Sequence, residues 1–234
     1  MTPSRPRVLL LFDIDGTLLV TGGVAREAFS CAVRDVFHIE DDLTGVEFAG
    51  RTEPLIVADI LAKRGLSFRD GDEPRFWDAL VHHMGRLFLP PKGRLLPGVA
   101  ELLAALDVRP DHARALLTGN LSRVARIKLA RFGIAERFPW GTFGEEAPDR
   151  DGLARLAVRR GEERLGVPAA RTIVVGDTHR DIACARAAGA HVVAVATGSM
   201  NVDQLAAHGP DLLLSDLADP APLLDFAARI AAGA

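Results

Sequence analysis

Val8-Leu9-Leu10-Leu11-Phe12-Asp13-Ile14-Asp15-Gly16-Thr17-Leu18 sets an unbroken apolar run directly before two aspartates and a glycine. A run that is apolar at every position suits a strand buried on both faces of a parallel sheet. In such sheets ligands gather beyond the carboxyl ends of the strands, so Asp13 and Asp15 fall where a site would form. The two-residue period of an extended chain puts both carboxylates on one side. Two like charges held together are costly unless a cation or a shared proton compensates, and Mg²⁺ is the cation that fits this oxygen-rich pair. Gly16 permits a tight turn whose exposed backbone N–H groups, with Thr17, suit phosphate oxygens.

Outward from this stretch the same pattern recurs. Arg7–Phe12, Arg114–Thr118, Thr172–Gly176 and His191–Ala196 read as strands. Val99–Asp107, Leu121–Phe132, Gly152–Leu165 and His179–Ala188 carry apolar residues at helical spacing. The alternation predicts an α/β fold with a doubly wound, Rossmann-like parallel sheet. From Leu19 to Lys92 the rhythm breaks into helical patterns at Val24–Val36, Glu53–Arg64 and Arg75–Phe88, with no strand signal. The expected organisation is a core of residues 1–18 and 93–234 with an all-helical cap of residues 19–92 inserted after the first strand. Gly22-Gly23 would suit a hinge between them.

The chain has 234 residues, a net charge of −3, 48% hydrophobic and 25% charged residues, which suits a folded domain with a sizeable core. That charge argues against a nucleic-acid binder, whose affinity would rest on neutralising phosphates. Two cysteines, Cys31 and Cys184, make no disulfide framework and are expected to be buried; the expected setting is cytoplasmic. Val8–Phe12 is too short for a signal-peptide core, and the longest uncharged stretch, Ala187–Val202, falls short of a membrane span. Monomer and homodimer are both compatible with these features.

Two further strand ends carry chemistry. Gly176-Asp177-Thr178-His179-Arg180-Asp181 sets a second acidic pair four residues apart, so that Asp181 in the first turn of a helix could face the ligand of Asp177. The plainer reading is helix capping by Asp177 or Thr178. Thr118-Gly119-Asn120 offers a hydroxyl, a glycine N–H and a helix start, a compact anion cradle that alone would read as an ordinary cap. His82-His83 lack a third metal ligand, and are expected to be one exposed and one partly buried residue. His179 follows the acidic motif closely enough to approach a ligand. Trp77 and Trp140 read as packing residues.

Asp13-x-Asp15-Gly16-Thr17 after a strand, with Gly176-Asp177-x-x-x-Asp181 near the far end, resembles the haloacid dehalogenase superfamily of phosphohydrolases, in its phosphoglycolate-phosphatase-like branch with a helical cap. The resemblance implies hydrolysis of a small phosphate monoester, phosphoglycolate-like or a sugar phosphate, by a soluble Mg²⁺-dependent enzyme. It implies Asp13 as the nucleophile that becomes an aspartyl phosphate and Asp15 as general acid and base. It implies Mg²⁺ on Asp13, the backbone carbonyl of Asp15, Asp177 and Asp181. Gly16, Thr17, Thr118, Gly119 and Asn120 would bind phosphate. Asp15 favours phosphate esters, because an alkoxide leaving group needs an acid.

One departure stands out. Relatives usually carry a lysine before the last acidic motif, where this chain reads Glu145-Glu146-Ala147-Pro148-Asp149-Arg150-Asp151. Arg150 is the candidate replacement, with a salt bridge to Asp149 or Asp151 as its plainer reading. Lys128 is the alternative, about 12 Å beyond Asn120 along a helix at 1.5 Å per residue. In the cap, Arg51 of Gly50-Arg51-Thr52 could pair with a substrate carboxylate or second phosphate. The competing functions are a phosphomutase of the same fold, a phospho-acceptor receiver and a silent phospho-ligand binder. A receiver would lack the large helical insertion after the first strand.

Overall fold

The computed structural model describes residues 6–233. Its main sheet has six strands in the order β5-β4-β1-β6-β7-β8, all parallel. These are β1 (Val8–Phe12), β4 (His112–Leu117), β5 (Gly141–Thr142), β6 (Thr172–Gly176), β7 (His191–Val195) and β8 (Leu212–Leu214). The register pairs Phe12 with both Leu116 and Val175, so β1, β4 and β6 end at one level. Asp13, Thr118 and Asp177 therefore emerge along a single edge of the sheet.

Helices cover both faces, as the continuous apolar strands predict. Val8, Leu10 and Phe12 pack against α4 (Val99–Asp107), α5 (Ser122–Ala130) and α9 (Ala221–Ala232). Leu9 and Leu11 point the other way, into α6 (Arg150–Leu165), α7 (His179–Ala187) and α8 (Val202–Ala206). The strand's alternation thus divides one apolar run between two cores. The α/β, doubly wound, Rossmann-like class is the one observed.

The helices α1 (Val24–Phe37), α2 (Glu53–Arg64) and α3 (Asp72–Leu87) form a third apolar cluster, where Phe29, Ile56, Phe76 and Leu80 meet Leu121 and Val124. Thr52 caps α2 by accepting the Leu55 amide hydrogen, and Gly65 ends it in the left-handed region. The strand-free expectation for Leu19–Lys92 is corrected at its first residues. β2 (Leu19–Val20) pairs antiparallel with β3 (Arg94–Leu95), so both chain connections of the helical unit run side by side. A two-residue strand is too short to leave a periodicity.

Cys184 is buried, but Cys31 is only partly so, which corrects the expectation for that residue. It lies off the stripe of Val24, Ala28, Ala32 and Val36 that faces the core of the helical unit. His82 is exposed, and His83 is buried against the Asp35 carboxylate at 2.6 Å. Trp77 packs edge-on to Phe76, and Trp140 joins the β4–α6 core. Among the described residues no helix is long and apolar enough to cross a membrane.

Candidate active site

A cavity of about 560 Å³ opens over the strand ends, between the sheet and the three-helix cluster. Its floor carries Asp13, Asp15, Gly16, Gly119, Asn120, Lys128, Arg150 and Asp177. Thr17 and Thr118 are fully buried beneath it and do not line it. The Thr17 hydroxyl donates to Asp177 Oδ1 at 3.2 Å, and Thr118 Oγ1 accepts from the Asn120 side-chain amide at 2.8 Å.

Asp13, Asp177 and Asp181 each place a carboxylate oxygen within 4.8 Å of the others, all three buried. Burial raises the Asp13 pKa to about 6; Arg150 opposes this, while Asp181 and Asp15 add to it. Burial, then Asp181 and Asp13, drive Asp177 well above the usual carboxylate range. Gly16 and Gly198 flank Asp177 so closely that a Cβ at either would overlap its carboxylate, and Gly16 also has φ +83°.

Arg150 is the first residue of α6, behind Asp149, whose Oδ1 accepts the Gly152 amide hydrogen at 2.7 Å. The acidic neighbour therefore caps the helix, and the guanidinium turns inward. It donates to Asp181 Oδ1 and lies 3.3 Å from Asp13 Oδ1. Burial works against its charge, yet Asp181 and Asp13 outweigh that and raise its pKa well above the ordinary arginine value. Asp181 also accepts from the Thr178 backbone N–H at 3.0 Å and from its hydroxyl at 2.7 Å. The capping role and the site-facing position thus coexist in Asp181, one oxygen serving each.

Lys128 also reaches the site. Its ammonium lies 2.6 Å from Asp15 Oδ2 and donates to Asn120 Oδ1, while Asn120 Nδ2 donates to Asp15 Oδ2 at 2.8 Å. The axial distance along α5 overstated the gap. Helical side chains lean toward the N-terminus, and the lysine stem spans the remainder. Arg150 serves Asp13 and Asp181, and Lys128 serves Asp15, so the two cations do not compete for one place.

Four participants escaped sequence reasoning. Thr197, Gly198 and Ser199 follow β7 and line the cavity, with the Thr197 hydroxyl donating to the Gly16 carbonyl at 2.6 Å. The strand-end rule applied to His191–Ala196 would have found them. Glu53 carried no signal beyond its place at a helix start. It is buried, its amide donates to the Gly119 carbonyl at 2.7 Å, and its Oε2 accepts the Leu121 amide hydrogen at 2.8 Å. Burial raises its pKa to about 7, against the pull of Lys128.

Arg51 lines the cavity, with its guanidinium turned to Asp59 at 3.4 Å and the Leu55 carbonyl at 3.2 Å. The His179 ring stacks on His208 at 5.3 Å and does not line the cavity.

Residues 8–189 match the family model of haloacid dehalogenase-like hydrolases. A plasmid-encoded phosphoglycolate phosphatase of Cupriavidus necator is 31% identical over 241 residues, covering 100% of this chain and 99% of its own. The phosphoglycolate phosphatase of Pseudomonas fluorescens is 28% identical over 238 residues, covering 97% and 84%. The crystal structure of a predicted phosphoglycolate phosphatase from Haemophilus somnus superposes with a TM-score of 0.72 at 22% identity, over 94% of this chain and 99% of that one. Matched by the family model over residues 8–189 and by a relative of 31% identity along its whole length, the chain belongs to the haloacid dehalogenase-like hydrolases.

Proposed function

We propose that the protein is a Mg²⁺-dependent phosphatase that hydrolyses a small phosphate monoester through an aspartyl phosphate on Asp13. The observation that carries this reading is the meeting of Asp13, Asp15, Asp177 and Arg150 on the floor of one cavity at the strand ends. The relatives named as phosphoglycolate phosphatases support the reaction class. Residues 19–92 act as the cap that selects the substrate, on a core of residues 1–18 and 93–234.

The residues fit a hard divalent cation. Three buried carboxylates face one guanidinium, and glycines at 16 and 198 leave room only for the Asp177 carboxylate. Asp13, Asp177 and the Asp15 carbonyl would hold Mg²⁺; Asp181, already engaged by Arg150 and Thr178, orients the set. When bound, the ion neutralises charge so that an anionic carboxylate can approach an anionic phosphate.

The Asp13 carboxylate attacks phosphorus, and the ester P–O bond breaks as Asp15 gives its proton to the leaving alkoxide. Asp15 then takes a proton from water, whose oxygen attacks phosphorus and releases phosphate, restoring Asp13. Lys128 and Asn120 hold the Asp15 carboxylate for both steps. The Gly119 N–H and the strand-end loops cradle the phosphoryl oxygens, with Thr118 bracing Asn120 from below; the Gly16 and Thr17 amides, expected from the sequence to serve here, donate instead to the Leu19 and Ile14 carbonyls.

The test is phosphate release from a panel of phosphate monoesters by wild type and Asp13→Asn, with and without Mg²⁺. Metal-dependent release that the substitution abolishes is expected; release that persists in Asp13→Asn overturns the assignment of the nucleophile.

A further inference from the structure

The cavity continues beyond the floor toward α1 and α2, where an apolar surface lies among Arg26, Arg51 and Glu53. Val20, Ala25, Phe29, Phe48 and Ile56 form it. A cavity of about 560 Å³ leaves space well beyond a phosphoryl group, within the size usual for small-molecule sites.

Four cations among the described residues line the cavity, and each is already engaged. Arg150 is held by Asp181 and Asp13, and Lys128 by Asp15. Arg51 is held by Asp59 and the Leu55 carbonyl. Both terminal nitrogens of Arg26 donate to backbone carbonyls, of Leu43 at 2.6 Å and Val46 at 3.1 Å, and its guanidinium sits 4.4 Å over the Phe48 ring. A substrate with a second anion would have to compete with the partners these cations already hold, and Glu53 adds an acidic group beside them. An uncharged group with an apolar face competes with none.

Resting on the phosphatase reading above, we propose that the substrate is a phosphate monoester of an uncharged, apolar-faced alcohol, aromatic or carbocyclic in character. A hydroxy acid phosphate or a bisphosphate is disfavoured. Phe48 and Ile56 receive the leaving group, and selectivity arises from their contact with it, not from charge pairing.

The experiment compares kcat/KM of the Mg²⁺-loaded enzyme for 2-phenylethyl phosphate, glycerol 1-phosphate and 2-phosphoglycolate, which all leave as primary alkoxides. 2-Phenylethyl phosphate is expected to exceed 2-phosphoglycolate by about tenfold or more, mainly through KM, the scale that an apolar contact supplies. Phe48→Ala should shrink that ratio, and Phe48→Leu should retain most of it. Equal or faster turnover of 2-phosphoglycolate overturns the proposal, and its loss in Arg51→Gln would then identify Arg51 as the receptor for a substrate anion. If none of the three releases phosphate, the phosphatase reading itself fails and takes this proposal with it.

Discussion

The Lys128 ammonium lies 2.6 Å from Asp15 Oδ2, with the lysine side chain buried and the aspartate side chain partly open to the cavity. One end of the pair is fixed and the other is presented to substrate. Lys128→Met keeps the length of the stem and removes the anchor. Turnover should fall on the order of 10²-fold, the low end of what a positioned acid or base contributes, with KM little changed. Steady-state kinetics beside circular dichroism of the folded variant checks this. An unaltered kcat would mean that Asn120 alone orients Asp15.

Arg150 is the counterweight for two carboxylates, Asp13 and Asp181, which are 4% and 0% exposed. Arg150→Ala strands both, and removing one partner of a buried pair costs about 3–5 kcal/mol. Denaturant unfolding of metal-free protein should show a loss of that order. Arg150→Lys should recover only part of it, because an ammonium cannot reproduce the planar reach of the guanidinium.

Glu53 gives stability a pH dependence that needs no metal. Its pKa is raised from 4.5 to about 7 in the folded protein, so folding takes up a proton between those values. The stabilising share is whole below pH 4.5 and is lost as pH rises through 7. Glu53→Gln keeps an acceptor for the Leu121 amide and removes the titration. Above pH 7.5 the variant should be the more stable protein, by on the order of 3 kcal/mol, and the difference should shrink toward pH 5. Parallel melting curves across that range measure it, and a constant offset would contradict it.

Gly198 tests the proposed metal site without touching a charge. A Cβ at this position would overlap the Asp177 carboxylate. Gly198→Ala should therefore weaken Mg²⁺ binding about 10–100-fold, as losses around a metal's ligands commonly do. Calorimetric titration with Mg²⁺ reads this directly. Saturating Mg²⁺ at 100 times its Kd should stabilise the wild type by about 2.7 kcal/mol, and chelation should remove that gain.

The strands β1, β6 and β7 were legible because their apolar runs lie in the middle of the sheet, and β4 was legible through its buried end, Ala115, Leu116 and Leu117. At the edges, β5 spans only Gly141–Thr142 and β8 is half-buried Leu212–Leu214, so neither leaves a pattern of its own. Asp13, Asp15 and Asp177 were legible because paired acids after apolar strands have few structural uses. The division of work between Lys128 and Arg150 was not, since residue spacing along a helix says nothing of where a long side chain ends. Glu53 was hidden for a different reason: an acid in a first helical turn is ordinary, and only the docking of α2 onto Gly119 and Leu121 sets it apart.

The pairing of Leu19 with Leu95 bears on how the chain reaches this fold. β1 must find β4 across the whole three-helix excursion, a contact of long sequence separation that ordinarily slows folding. Once Leu19–Val20 and Arg94–Leu95 are zipped, that excursion is a closed loop and its entropy no longer burdens the sheet. What remains between the strands is a short chain carrying α4. The helical unit can thus be lengthened, shortened or exchanged for another with little effect on the search that assembles the sheet.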